Sequence, residues 1–210
     1  ESLDEFRPHG CAILNITPSH GERYQRVRDY AEAKGNIVKK LSAGDTFLSL
    51  KGDSWSEKVI RAGTFLWERI DPQNLDFGNF DLSGFKPFGV HNKVNLAFAI
   101  ALARVANVSD QAIQTVINNF KGVPHRLENV KEGENFLILN DSKSTNWAST
   151  LAALHSIKND ETWKDAKIFL CLGGKCRGHH DMPEQETIEQ LQYYQVELCL
   201  FGEFAKIYGE

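Results

Sequence analysis

The sequence predicts an α/β fold in two incomplete domains that meet near Gly122. Three observations carry that reading. Short apolar runs alternate with segments of helical periodicity, the pattern of βαβ units around a parallel sheet. The rhythm breaks at Lys121-Gly122-Val123-Pro124 and resumes with different spacing. The 210 residues begin at Glu1 rather than Met and stop inside a predicted helix at Glu210, so each domain is expected to be a portion of a larger one.

Cys11 to Thr17 is an apolar run ended by Pro18 and reads as a buried strand. Glu22 to Leu41 reads as a helix, with Tyr24, Val27, Tyr30, Ile37, Val38 and Leu41 spaced for one face. Thr46–Leu50 and Thr64–Ile70 are strands separated by Gly, Asp and Asn. Asn92–Ala106 is rich in Ala and Leu and predicts a helix. Ser109 is placed to cap a second one, Asp110–Phe120. Beyond the break, Phe136–Leu139, Lys167–Leu172 and Val196–Phe201 are three strands. The helices Trp147–Ile157 and Glu184–Tyr194 alternate with them, and a last helix starts near Glu203.

Composition narrows the class. Hydrophobic residues make up 41% and charged residues 25%, ordinary for a chain with a real core. A net charge of -4 argues against a nucleic-acid partner held on a broad basic surface. Anionic ligands would need Lys and Arg concentrated locally. No stretch reaches the roughly 20 apolar residues of a membrane span, and the opening residues do not read as a basic-then-apolar signal sequence. Four cysteines in this length do not make a disulfide framework, which fits a reducing cytoplasm.

The junction after the Phe136–Leu139 strand concentrates chemistry. In "LILNDSKSTNWASTLAAL" (residues 137–154) an apolar strand stops at Asn140-Asp141-Ser142-Lys143-Ser144-Thr145-Asn146, and a helix follows. Ligands of open parallel sheets sit outside the carboxyl ends of the strands. A helix N-terminus there favours anions, and Lys143 adds a full charge. The plain alternative is an ordinary N-cap, since Asp, Ser, Thr and Asn are all favoured there. Gly173-Gly174-Lys175-Cys176-Arg177-Gly178 repeats the theme at the next strand end. Glycine allows close backbone approach to a ligand.

Asp141-Ser142-Lys143-Ser144-Thr145-Asn146 resembles the Asp-Ser-Lys-x-Thr-Asn signature of the D-glutamate-adding Mur ligase family. Other blocks agree in the family's order: "ILNITPSHGERY" (13–24), "YAEAK" (30–34), "GVHNKVN" (89–95), "FKGVPHRLE" (120–128) and the Leu-Gly-Gly strand end. The resemblance implies residues 1–122 as the latter portion of a P-loop-type, ATP-binding central domain. Residues 123–210 are then the first portion of a Rossmann-like, amino-acid-binding C-terminal domain. It implies ATP and Mg²⁺ as cofactors and UDP-N-acetylmuramoyl-L-alanine and D-glutamate as substrates. The implied setting is a monomeric cytoplasmic bacterial enzyme of peptidoglycan precursor synthesis, acting through an acyl phosphate.

Roles carried over by the resemblance follow residue by residue. His20 falls at a Mg²⁺-ligating histidine and Lys34 at a carbamylated lysine beside the metal. Asn92 and Asn95, one helical turn apart, fall at the adenine, where an amide offers donor and acceptor together. Arg126 falls at the ATP phosphates, where a planar fork fits. Asp141 falls on the nucleotide or metal side, and Lys143 and Thr145 at D-glutamate, with Lys143 also among the catalytic groups. Arg177 stands where the family has a lysine for D-glutamate, and Ser19 where it has an aspartate. The plain alternatives are a loop histidine, a solvated Lys34, an Asn92 helix cap, and a surface ion pair between Arg126 and Glu128.

No Gly-x-x-x-x-Gly-Lys-Ser/Thr phosphate loop occurs in the sequence. The expectation is therefore an internal portion that does not ligate by itself. Three rivals stay open: a sister ligase of the folylpolyglutamate or another Mur type, a non-catalytic nucleotide-binding module, and a zinc site from Cys171, Cys176, His179, His180 and Asp181, whose spacing matches no standard finger.

Overall fold

The computed structural model describes residues 6–17, 23, 24, 26–60, 63–174, 183 and 185–208. The chain divides into two compact units, Glu1–Gly122 and Val123–Glu210.

The first unit holds a parallel three-stranded sheet in the order β1 (Gly10–Ile13), β2 (Thr46–Leu50), β3 (Leu66–Ile70). β2 is central, and its apolar sequence suits a strand covered on both faces; Phe47 and Leu48 are fully buried. Helix α1 (Val27–Gly35) continues into a 3₁₀ turn (Asn36–Val38). The expected helix to Leu41 therefore tightens at Gly35-Asn36, a low-propensity pair. The core here is Cys11, Ile13, Ile16, Ala31, Phe47 and Ile60, with Phe65 and Trp67 against Phe47.

Helix α2 (Ser54–Val59) was not expected. Six residues are too few for a periodic signal. Asp53 caps it by accepting from the Ser56 N–H at 2.9 Å, and also accepts from the buried Ile16 N–H at 3.2 Å. Asp45 is similarly engaged at the start of β2, accepting from the Ser42 N–H at 2.7 Å and facing His9 Nδ1 at 3.0 Å and Arg7 at 3.5 Å.

Helices α3 (Val90–Val105) and α4 (Asp110–Asn119) pair through Leu96, Ile100, Ile113 and Ile117. The expected Ser109 cap is present, accepting from the Ala112 N–H at 3.3 Å. Phe77, Phe80, Leu82 and Phe85, from an irregular segment, close this core. α3 also packs on β1, where Gly10 is needed because a Cβ would stand 2.8 Å from Val105 Cγ1.

In the second unit β4 (Glu128–Gly133) and β5 (Phe136–Asn140) form an antiparallel hairpin, and β6 (Phe169–Gly174) and β7 (Glu197–Phe201) pair in parallel. Three strands were expected and four are described. The sequence of β4, Glu-Asn-Val-Lys-Glu-Gly, is mostly exposed and polar, so no alternation announced it. Helices α5 (Trp147–Lys158) and α6 (Gln185–Tyr193) bury Leu154 and Leu191 with Ile168. Helix α7 (Gly202–Tyr208) follows β7 directly. Among the described residues no helix is long and apolar enough to cross a membrane.

Candidate functional site

The β5–α5 junction is built by side chains folding back on backbone. β5 ends at Asn140, whose Oδ1 accepts from the Ser142 N–H at 3.2 Å, a turn that Asn forms readily. Asn146 caps α5, its Oδ1 accepting from the Ser149 N–H at 2.8 Å. The residues between are therefore a shaped loop ahead of a helix N-terminus. Lys143 and Thr145 are exposed in it, and Asp141 is half-buried.

The 123–127 segment is fastened to this loop. Asp141 Oδ1 accepts from the Leu127 N–H at 2.8 Å, and its other oxygen accepts from the Ser144 hydroxyl. The Lys143 N–H donates to the His125 carbonyl at 3.0 Å. Asn140 Nδ2 lies 2.9 Å from His125 Nδ1. The His125 N–H donates to Glu128 Oε2 at 2.8 Å. Glu128 thus engages His125, whereas the plain alternative paired it with Arg126. Leu127 is 3% exposed and Arg126 is exposed. The structure accordingly brings Arg126, Asp141, Lys143 and Thr145 into one neighbourhood of the second unit.

Two further predicted groups lie in the first unit. Asn92 and Asn95 open α3 after Gly89, with Asn92 Nδ2 donating to the Phe88 carbonyl at 2.7 Å and Asn95 Nδ2 3.5 Å from Asn92 Oδ1. Lys34 is exposed in the last turn of α1, its ammonium 5.4 Å from the Tyr30 ring centroid. An open cleft of about 940 Å³ lies beside α1 and α2, lined by Arg28, Lys39, Trp55, Lys58 and Phe65 among others, and none of the predicted site residues lines it.

His20 and Arg177 lie outside the described residues, as do Ser19, Cys176, His179, His180 and Asp181. Among the described residues no group of three His, Cys, Asp or Glu could hold a metal. Cys171 stands opposite Cys199 in the parallel register of β6 and β7, both exposed. Sequence reasoning missed Asn140 and the part Glu128 plays. The available signal was the Asn140–Ser142 turn spacing; the bonds between the 123–127 segment and residues 140–143 leave no local trace.

Residues 1–67 match the family model described as the Mur ligase middle domain. The UDP-N-acetylmuramoylalanine–D-glutamate ligase of Clostridioides difficile (strain 630) is 35% identical over 225 aligned positions, covering 98% of this chain and 47% of that protein. Over nearly its whole length the chain is therefore similar to Mur ligases. Other Mur ligase matches at 28–32% identity carry the same D-glutamate ligase name. The chain spans about half the length of the curated relatives it matches. Among solved structures, MurF from Acinetobacter baumannii superposes with a TM-score of 0.65 at 18% identity, over 95% of this chain and 48% of that one. MurF from Thermotoga maritima in complex with ADP gives 0.63 at 16% identity, over 93% and 49%. At that identity the likeness concerns the fold, and it agrees with the expected α/β architecture of a partial Mur ligase.

Proposed function

We propose that this chain is the part of an ATP-dependent ligase that joins D-glutamate to UDP-N-acetylmuramoyl-L-alanine in the cytoplasm. The observation that carries the reading is the β5–α5 junction: two exposed cations, Arg126 and Lys143, on one hydrogen-bonded frame ahead of a capped helix. The D-glutamate ligase name of the curated relatives supplies the substrates.

Every reactant in such a ligation is anionic: nucleotide, muramoyl carboxylate, acyl phosphate and D-glutamate. The work of the protein is then positioning and charge neutralisation. Lys143 and Thr145 would hold the D-glutamate carboxylates, one by charge and one by hydroxyl. Arg126 would face the phosphates with its planar fork. Asn92 and Asn95 would meet adenine, with Asn92 held by its bond to the Phe88 carbonyl. Mg²⁺ fits less well to the described residues. Lys34 as an ammonium over Tyr30 offers no lone pair; only a carbamate on its nitrogen would make it a ligand. The described residues do not by themselves make a Mg²⁺ site.

The test has two arms. This chain alone, without a phosphate loop, should release no phosphate from ATP; measurable ATP-dependent release overturns the reading. In a longer protein joining this segment to a phosphate-loop half, Lys143→Ala should lower kcat/KM for D-glutamate by roughly 100-fold, the value of a lost charged hydrogen bond. An unchanged kcat/KM removes Lys143 from the site.

A further inference from the structure

We propose that Asp141 is a positioning residue: its carboxylate rivets the 123–127 segment to the β5–α5 junction, so that Arg126 and Lys143 ride on one stiff frame. The inference rests on the anion-binding reading above and adds to it how the cations are held.

The backbone of the segment is over-determined. His125 and Leu127, on either side of Arg126, both adopt left-handed backbone, with φ of 66° and 46°. Residues other than glycine rarely stay there unless the surroundings hold them. Here the holding groups are visible. The Leu127 N–H is taken by Asp141 at 2.8 Å, the His125 N–H by Glu128 at 2.8 Å, and the Arg126 N–H by the Val123 carbonyl at 3.1 Å. From the other side, the Lys143 N–H is taken by the His125 carbonyl at 3.0 Å. The buried Leu127 side chain adds an apolar anchor. Arg126 thus leaves the chain between two fixed peptides, one of them bonded to Lys143 itself.

Asp141 is the member that joins the two strands of this frame. One of its oxygens holds Leu127 and the other holds Ser144, while its own carbonyl accepts from the Ser144 N–H at 2.8 Å. A carboxylate so engaged acts through the residues it orders. That separates it from a direct role on nucleotide or metal. A direct role needs the negative charge, and asparagine would fail. A positioning role needs acceptor geometry, and asparagine keeps an oxygen for Leu127 and an amide for Ser144.

The experiment uses this chain, amide exchange read by NMR, and tripolyphosphate as the anion probe. Asp141→Ala should speed exchange of the Leu127 amide by about tenfold, the loss of a hydrogen bond to a charged group. It should also weaken tripolyphosphate several-fold, while Asp141→Asn stays within about twofold of the parent in both readouts. Arg126→Ala should weaken tripolyphosphate and leave Leu127 exchange unchanged. Ser144→Ala, a milder change, should give an intermediate acceleration if Asp141→Ala does not fold. Unchanged Leu127 exchange in Asp141→Ala and Ser144→Ala overturns the rivet, and Asp141→Asn as damaging as Asp141→Ala overturns positioning. If the parent chain ignores tripolyphosphate while Leu127 exchange responds as expected, the rivet stands and the phosphate assignment of Arg126 falls.

Discussion

Removing the Asp53 carboxylate should destabilise the first unit well beyond an ordinary surface change. Asp53 performs two tasks at once. It caps α2 through the Ser56 N–H at 2.9 Å and also takes the Ser56 hydroxyl. It accepts from the Ile16 N–H at 3.2 Å, and Ile16 is 4% exposed. Losing an N-cap costs about 1 kcal/mol. Leaving a buried N–H without its acceptor costs about 1–3 kcal/mol. Asp53→Ala should therefore cost about 2–4 kcal/mol, a large share of the roughly 5–15 kcal/mol that holds a domain. Asp53→Asn keeps one acceptor oxygen of two and should lose about half as much. Urea unfolding followed by tryptophan fluorescence reads the effect, since Trp55 lies in α2 and Trp67 in β3. The midpoint should fall with little change in slope. A loss under about 0.5 kcal/mol, the range of neutral surface changes, would refute the reasoning: Ile16 would then be satisfied by water and α2 would need no cap.

Four further outcomes are expected. Phe47→Ala empties the centre of the first unit's core, between Phe65 and Trp67 at ring separations of 6.1 and 5.7 Å; calorimetry or urea titration should show a loss of about 3–5 kcal/mol. Burial, helped by the nearby Asp45 charge, pushes the Cys11 thiol up to about 11, so a thiol reagent at pH 8 should label Cys171 and Cys199 well before Cys11, as read by peptide mass analysis. A thiol raised in the folded state contributes stability below its unfolded value and loses it as pH climbs toward 11. Cys11→Ser should therefore lessen the loss of stability on the alkaline side. Asp45 sits below the usual carboxylate range, held there first by the Ser42 N–H and then by His9. A depressed carboxylate stabilises above its unfolded value near 3.9 and stops doing so as pH falls through the folded value. Asp45→Asn should flatten the acid limb of a stability–pH curve, and an unaltered limb would remove Asp45 as its source.

Much of the architecture was legible locally. The Ala- and Leu-rich stretch that became α3, the Ser109 cap of α4, and the strand–loop–helix order around Asn140 to Trp147 follow from residue spacing and capping chemistry, which act over one or two turns of chain. The Asn92–Asn95 spacing was likewise visible, though the bond from Asn92 to the Phe88 carbonyl was not.

By itself the sequence determined which segments are apolar on one face and where helices start, because those preferences are set by neighbours three or four residues away. It also showed that Lys143 sits at the end of an apolar strand. Only the tertiary structure decided that the polar run Glu128–Gly133 is a strand, since its partner β5 supplies the hydrogen bonds its own composition does not advertise. Only the tertiary structure likewise decided that Asp141 spends its carboxylate on Leu127 and Ser144, and that Glu128 answers His125 rather than Arg126. Asp141 meets Ser144 within one turn of chain, but its bond to the Leu127 amide joins residues 14 apart, which no local spacing encodes. Which donor a carboxylate meets at that separation is settled by how the fold brings backbone amides to it.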